Sequence, residues 1–207
     1  MKTLAMDLSS GRGTIALLDD DHVAFDRNFP NDRKHSGLFF ENLQLCAKNF
    51  SLLELIVVGL GPGSYAGVRI AIAAATGLGA AHEARLIGLA SICALQTDAP
   101  EYWVVGDAKR QSFFSARIGN GRLVEGPSLH SAAELEAKLH EWHLPVYASE
   151  PLPRYPQAML AFPVALKLAA LARAQDDGLA HRPALEPIYL RGPHITMPKT
   201  VTASLKR

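Results

Sequence analysis

The 207-residue sequence has almost no charge of one sign to spare: 21 Lys and Arg against 20 Asp and Glu leave a formal net charge of +1. Proteins that grip nucleic acid directly usually present a basic face, so this balance argues against nucleic-acid binding by the chain alone. Cysteine is scarce as well. Cys46 and Cys93 stand far apart with no metal-ligand spacing, and they read as small buried apolar residues in a reducing compartment. No apolar run reaches the ~18 residues that a membrane crossing needs. The opening MKTLAMDLSS turns acidic too early for a signal peptide. The expectation is a cytoplasmic protein that does not enter the membrane.

Catalytic signatures are missing too. No G-x-x-x-x-G-K-[ST] phosphate loop occurs, and Val68 and Arg69 stand where its Lys and Ser/Thr would be needed. There is no G-x-S-x-G nucleophile elbow. The eight histidines form no H-x-x-x-H pair; His140 and His143, three apart at a helix end, read as solvated. No catalytic residue and no metal site is assigned.

What is present is an ordered alternation of elements. KTLAMDL (2–8), GTIALLD (13–19) and HVAFDRNF (22–29) have strand composition and short turns between them. Residues 35–50 carry Leu38, Phe39, Leu43, Cys46 and Phe50 at helical spacing. LIVVGL (55–60) reads as a buried strand, 64–82 as a long helix, and 85–90 as a short strand leading to another helix. The second half repeats the order. Strands are expected at 102–107 and 112–118, with a third at RLVEG. A helix follows at 131–142, where Ser131 and Glu134 form a capping-box pattern. A strand at 144–149 and a helix at 157–175, with Pro163 near its start, complete the half. Asp7 and Asp107 each end a first strand. The architecture expected is α/β, two duplicated βββαβα lobes, with a boundary between residues 1–98 and 99–207.

GLGPGSYAGVR (59–69) links the fourth strand to the long helix. The stretch 61–66 fits the dinucleotide pattern G-x-G-x-x-[GA], but the acid that should follow about 20 residues on is absent from the end of the next strand. Geometry explains the turn better. Gly61 and Gly63 permit unusual backbone angles, Pro62 stiffens the corner, Ser64 caps the helix, and Gly67 belongs to the same structural turn. From Ile70 to Ala81 the helix carries no charge and is mostly alanine and glycine. Glycine in a helix interior costs roughly 0.5–1 kcal/mol against alanine, so the glycines need a reason. Two readings stand: a core helix enclosed by its own chain, or a helix with one side for a partner protein.

GPGSYAGVRI (61–70) closely resembles the signature G-P-G-S-[FY]-[TA]-G-[LV]-R-[IV] of the TsaB (YeaZ) family. These are glycoprotease-like proteins of the actin/hexokinase/chaperone ATPase superfold, with a ribonuclease H-like fold. LAMDLSS resembles the family's opening, KHSGLFFENL its first helix, GDAKRQSFF its second-lobe strand–turn–strand, and PIYLR (187–191) its C-terminal motif. The sequence departs from the pattern at Leu8, where Thr is usual, and at Gln111 and Ser112, where Gly-Glu is usual.

The resemblance implies a non-catalytic subunit of the complex that installs threonylcarbamoyl on adenosine beside the tRNA anticodon. Its partners would be the catalytic paralogue TsaD and the ATPase TsaE, with self-pairing through the same surface and tRNA met only through the complex. The partner surface expected is Leu38, Phe39, Leu43, Arg69, Ala71, Ala74, Ala75 and Leu78. Arg69 is expected to anchor a carboxylate or carbonyl. No cofactor is required by the chain alone, with ATP or ADP and Mg at a shared interface as the further expectation. The alternative is a nucleotide-binding ATPase or phosphotransferase. It would use Asp107 and a phosphate turn of Asp7, Ser9, Ser10, Gly11 and Gly13. Both aspartates also read as strand-end acids bonding turn amides. A homodimeric binding module with no tRNA role is the third reading.

Overall fold

The computed structural model describes residues 1–32, 37–50, 52–175 and 185–191. The first half builds β1 (Lys2–Asp7), β2 (Arg12–Asp19) and β3 (His22–Pro30), then α1 (Leu38–Ala47), β4 (Leu55–Gly59), α2 (Tyr65–His82) and β5 (Arg85–Leu89). The second half builds β6 (Glu101–Asp107), β7 (Ser112–Gly119), β8 (Arg122–Ser131), α3 (Ala132–Glu141), β9 (Val146–Ala148), β10 (Met159–Leu160) and α4 (Ala165–Ala174). Each half forms one five-stranded mixed sheet. The orders are β3-β2-β1-β4-β5 and β8-β7-β6-β9-β10, the same topology twice. In each, the first three strands are an antiparallel meander and the last two join in parallel.

Strand alternation gives the first sheet two buried faces. Leu4, Met6, Ile15, Leu17, Ile56 and Val58 point to one side, where Phe39 and Cys46 of α1 and Ala71 and Ala75 of α2 close the core. Ala5, Ala16, Leu55 and Val57 point to the other, and α4 covers them with Ala165, Leu168, Ala169 and Ala172. The last described helix of the second half therefore completes the core of the first. Polar ties hold it there. Ala165 N donates to Thr14 Oγ1 at 3.2 Å, and Arg173 donates to the Asp20 carbonyl at 2.7 Å. Lys167 Nζ reaches the carbonyls of Leu95 and Thr97 at 3.0 and 2.8 Å.

Three expected elements differ. After β5 there is only a single 3₁₀ turn, Ser91–Ala94, because β5 runs straight into the connection to the second lobe. The helix expected over 157–175 begins only at Ala165. Proline lacks the N–H that a helix interior needs, and Pro163 instead forms an isolated bridge with Leu95. Residues 159–160 are strand, so the second lobe has no helix between β9 and β10 and lacks a counterpart of α2. The third strand, β8, runs on to Ser131, well past RLVEG. The capping box of α3 forms as expected: the Ser131 side chain accepts from Glu134 N, and the Glu134 carboxylate accepts from Ser131 N. His35, Ser36, His181 and His194 lie outside the described residues. Within them no helix is long and apolar enough to cross a membrane.

Glycine packing sets the first prediction. A Cβ on Gly67 would lie 2.0 Å from the Leu8 carbonyl oxygen, whereas one on Gly77 would meet nothing within 4 Å. Gly67→Ala should destabilise the fold by about 1–3 kcal/mol, the usual cost of overpacking. Gly77→Ala should stabilise it by about 0.5–1 kcal/mol. Urea unfolding midpoints check both.

Candidate functional site

The glycine turn is the bridge between β4 and α2, and it lands on the β1–β2 turn. Ser64 N donates to the Ser9 carbonyl at 2.6 Å. A Cβ on Gly63 would sit 2.0 Å from that same carbonyl oxygen. Gly61 adopts φ +87, a left-handed angle that favours glycine, and precedes a cis bond to Pro62. The Ser64 side chain caps α2 by accepting from Gly67 N at 3.2 Å. Two residues that motif reading passed over complete the corner. Ser91 Oγ accepts from Gly61 N at 2.8 Å, and Ser91 N donates back to the Gly61 carbonyl at 2.8 Å. Asn31 Nδ2 bonds the carbonyls of Leu8 and Ser10 at 2.9 and 2.8 Å. Neither lies in a motif; only the fold brings them to the turn. The C-terminal PIYLR segment crosses here as well, with Ile188 N on the Leu60 carbonyl at 2.8 Å.

These contacts change the job of the expected phosphate turn. Asp7 is fully buried, and its Oδ1 accepts from Ser9 N and Ser9 Oγ at 2.8 and 2.7 Å. Its Oδ2 is buried without a well-formed hydrogen bond among the described residues. The nearby Ser91 hydroxyl favours the charged form of the carboxyl. Ser10 Oγ is engaged with the backbone of Arg12. Gly13 lies under Phe29, whose ring atoms leave no room for a Cβ. Only Gly11 faces open space. The concave side that would cradle a phosphate is taken by the chain's own backbone at Gly63 and Ser64, so Asp7, Ser9, Ser10 and Gly13 serve as packing and turn residues. Burial pushes the Asp7 carboxyl above its ordinary value, against the opposing pull of Ser91 and Ser9.

The partner surface also needs correction residue by residue. Phe39, Ala71 and Ala75 are enclosed in the core beneath α1 and α2. Leu38, Leu43, Ala74 and Leu78 are half-buried and pack against that same core. The reason is register: the uncharged helix has apolar residues all round, so composition could not say which stripe faces inward. The outward stripe of α2 is Ala66, Ile70, Ala73, Gly77 and Ala80, all exposed. Their spacing of three and four places them on one side. On α1 the exposed large apolar side chains are Phe40 and Leu45, at 55% and 48%. Arg69 is exposed, but its partner is aromatic rather than a carboxylate. Its guanidinium donates to Tyr65 Oη at 2.7 Å and stands 5.1 Å from that ring's centre. Tyr189 lies against Tyr65, ring centres 5.7 Å apart. Among the described residues no group of three or more His, Cys, Asp or Glu is placed to hold a metal ion.

With this geometry described, comparison with known proteins decides the family. Residues 35–176 match the model described as TsaD, tRNA N6-adenosine threonylcarbamoyltransferase. The chain belongs to the TsaD family. An uncharacterized protein of Mycobacterium tuberculosis is 32% identical over 205 residues, covering 92% of each chain. An equally similar uncharacterized protein occurs in Mycobacterium bovis. Among solved structures, YeaZ from Pseudomonas aeruginosa superposes with a TM-score of 0.63 at 21% identity, over 86% of this chain and 95% of that one. An uncharacterized protein with similarity to the peptidase YEAZ from Pseudomonas aeruginosa gives 0.71 at 22%, over 92% and 99%. The fold is therefore that of YeaZ.

The raised acid makes a pH prediction. A carboxyl whose folded value exceeds its unfolded one binds more protons when folded. Stability then falls as pH rises from the unfolded value through the folded one. Asp7→Asn keeps the oxygen that accepts from Ser9 and removes the charge. Its urea midpoint should match or exceed that of the parent at neutral pH, and the advantage should shrink as pH drops towards about 4.

Proposed function

We propose that this member of the TsaD family is a non-catalytic subunit of the tRNA threonylcarbamoyladenosine machinery, docking on the catalytic TsaD paralogue through the outer faces of α1 and α2. One observation carries the reading. Helix α2 seals the core with Ala71, Ala75 and Gly79, while its opposite stripe, Ala66, Ile70, Ala73, Gly77 and Ala80, is exposed and uncharged. A stripe of small side chains lets a second helix approach its backbone closely. Glycine at 77 lowers helix stability, yet among the described residues nothing lies against its open side. Phe40 and Leu45 widen the face, and apolar patches of this kind mark protein interaction sites. The family description supports the tRNA reaction. TsaE would join the assembly through TsaD, a second copy of the chain would compete for the same face, and tRNA would be met only in the complex. The chain alone is proposed to need no nucleotide, which agrees with the filled turn over Asp7.

The test uses Gly77→Glu and Ala73→Glu, both on the open stripe. Each should lower co-purification of the TsaD paralogue by roughly tenfold or more, the effect of burying an unpaired charge, with the thermal midpoint unchanged. Retained binding would overturn the docking face. Calorimetry with ATP and magnesium separates the enzyme alternative: saturable micromolar binding and turnover by the isolated chain would favour it instead.

A further inference from the structure

The uncharged outer stripe of α2 is bordered at its N-terminal end by one cation, and that cation has no opposite charge within the described residues. Arg69 stands beside Ala66 and Ala73, three residues before it and four after it on the helix surface. Its Nη1 donates to Tyr65 Oη at 2.7 Å, and the groups that act on it are phenols, Tyr65 first and then Tyr189, which push the guanidinium above its ordinary value. The first turn of α2 holds no acidic residue. A cation close to the positive end of a helix is disfavoured by the helix dipole. An uncharged side chain of the same length would cover the Tyr65 ring as well. The charge itself is therefore what the chain's own packing leaves without a use.

The two rings hold the guanidinium in place. Its carbon stands 5.1 Å from the Tyr65 ring centre, and the Tyr65 and Tyr189 rings are 5.7 Å apart. Tyr189 is brought there by the strand-like crossing of its own segment, where Ile188 N donates to the Leu60 carbonyl at 2.8 Å. Tyr65 and Tyr189 remain 62% and 51% exposed, so the outer side of the cluster is open. A guanidinium has five N–H donors in a planar fork, and one phenol oxygen takes only part of that capacity. The fork matches the two oxygens of a carboxylate. Arginine and tyrosine are the residue types in which interface binding energy concentrates, and a side chain ordered beforehand loses less freedom on association.

We propose that Tyr65, Arg69 and Tyr189 form the polar anchor of the docking face, a seat for one Asp or Glu side chain of the TsaD paralogue helix that packs on Ala66, Ile70 and Ala73. This anchor rests on the docking face proposed above and adds what the partner must bring to it. The stripe offers Arg69 no acceptor of its own, and a helix laid over the stripe takes water away from the guanidinium. Without an opposite charge that desolvation weakens binding; with one it fixes the register of the two helices.

The test is calorimetric titration of the full chain and its variants with the TsaD paralogue from the same cell, at about 50 and about 500 mM sodium chloride. Arg69→Met keeps the length and the apolar stem. It should weaken binding by roughly tenfold or more at low salt and lose most of the salt dependence, with an unchanged thermal midpoint. Arg69→Lys should recover the salt dependence and part of the affinity. Tyr65→Phe, which removes the oxygen and keeps the ring, should weaken binding by about threefold. Arg69→Glu should weaken it further than Arg69→Met, and one acid-to-lysine variant of the paralogue should restore it. Parent-like affinity and salt dependence in Arg69→Met, or an Arg69→Glu loss that no such variant compensates, overturns the anchor. Loss of self-association alone, with paralogue binding intact, overturns the choice of partner. Should Gly77→Glu abolish binding while Arg69→Met does not, the docking face stands and the anchor falls; should neither weaken binding, both fall.

Discussion

The first turn of α2 rests directly on the backbone of the β1–β2 turn, and much of the first lobe is arranged around that contact. It needs a helix start without side chains at two places. Gly63 and Gly67 each present their α-carbon to a carbonyl oxygen at a distance no Cβ could share. Ser64 uses its N–H on Ser9 and its hydroxyl on the helix. The consequence reaches the chemistry: Asp7 is shut beneath the turn, with one oxygen lacking a well-formed hydrogen bond and its carboxyl pushed towards the neutral form. The acid expected at the base of a phosphate turn sits inside a joint of the chain's own making.

That joint also orients α2. With its base fixed on the turn and Ala71 and Ala75 against the sheet, the opposite stripe must face away from the molecule. Small residues therefore do two unrelated jobs on one helix. Gly67 and Gly79 are small because the chain's own atoms press on them, from Leu8 and Leu86 respectively. Gly77 is small although no described residue presses on it. The second property is the one on which the proposed docking face rests.

The strand order, the long helix and the Ser131 cap could be read from composition and spacing, because local pattern determines them. The inner and outer faces of α2 could not. An uncharged helix rich in alanine has no polar side to mark solvent, so Ala71 and Ala75 looked as available as Ala73 and Gly77. Pairings across the chain were equally hidden. Asn31, Ser91 and Tyr189 meet the turn only after the sheet has formed, and α4 reaches the first lobe from the far end of the second half. Pro163 is visible in the sequence, and in the fold it delays the helix to Ala165 and leaves room for β10. The turn at Lys109–Gln111 is legible in the sequence only as a departure from the family pattern at Gln111. In the structure Lys109, Arg110 and Gln111 adopt left-handed angles and line an open cleft.

The docking account is tested most directly by amide hydrogen exchange on the chain with and without the TsaD paralogue from the same cell. Protection should rise across α1 and α2, at Leu38–Ala47 and Tyr65–His82, and stay unchanged along β7 and β8. Unchanged exchange in α2, or protection confined to the second lobe, would contradict it.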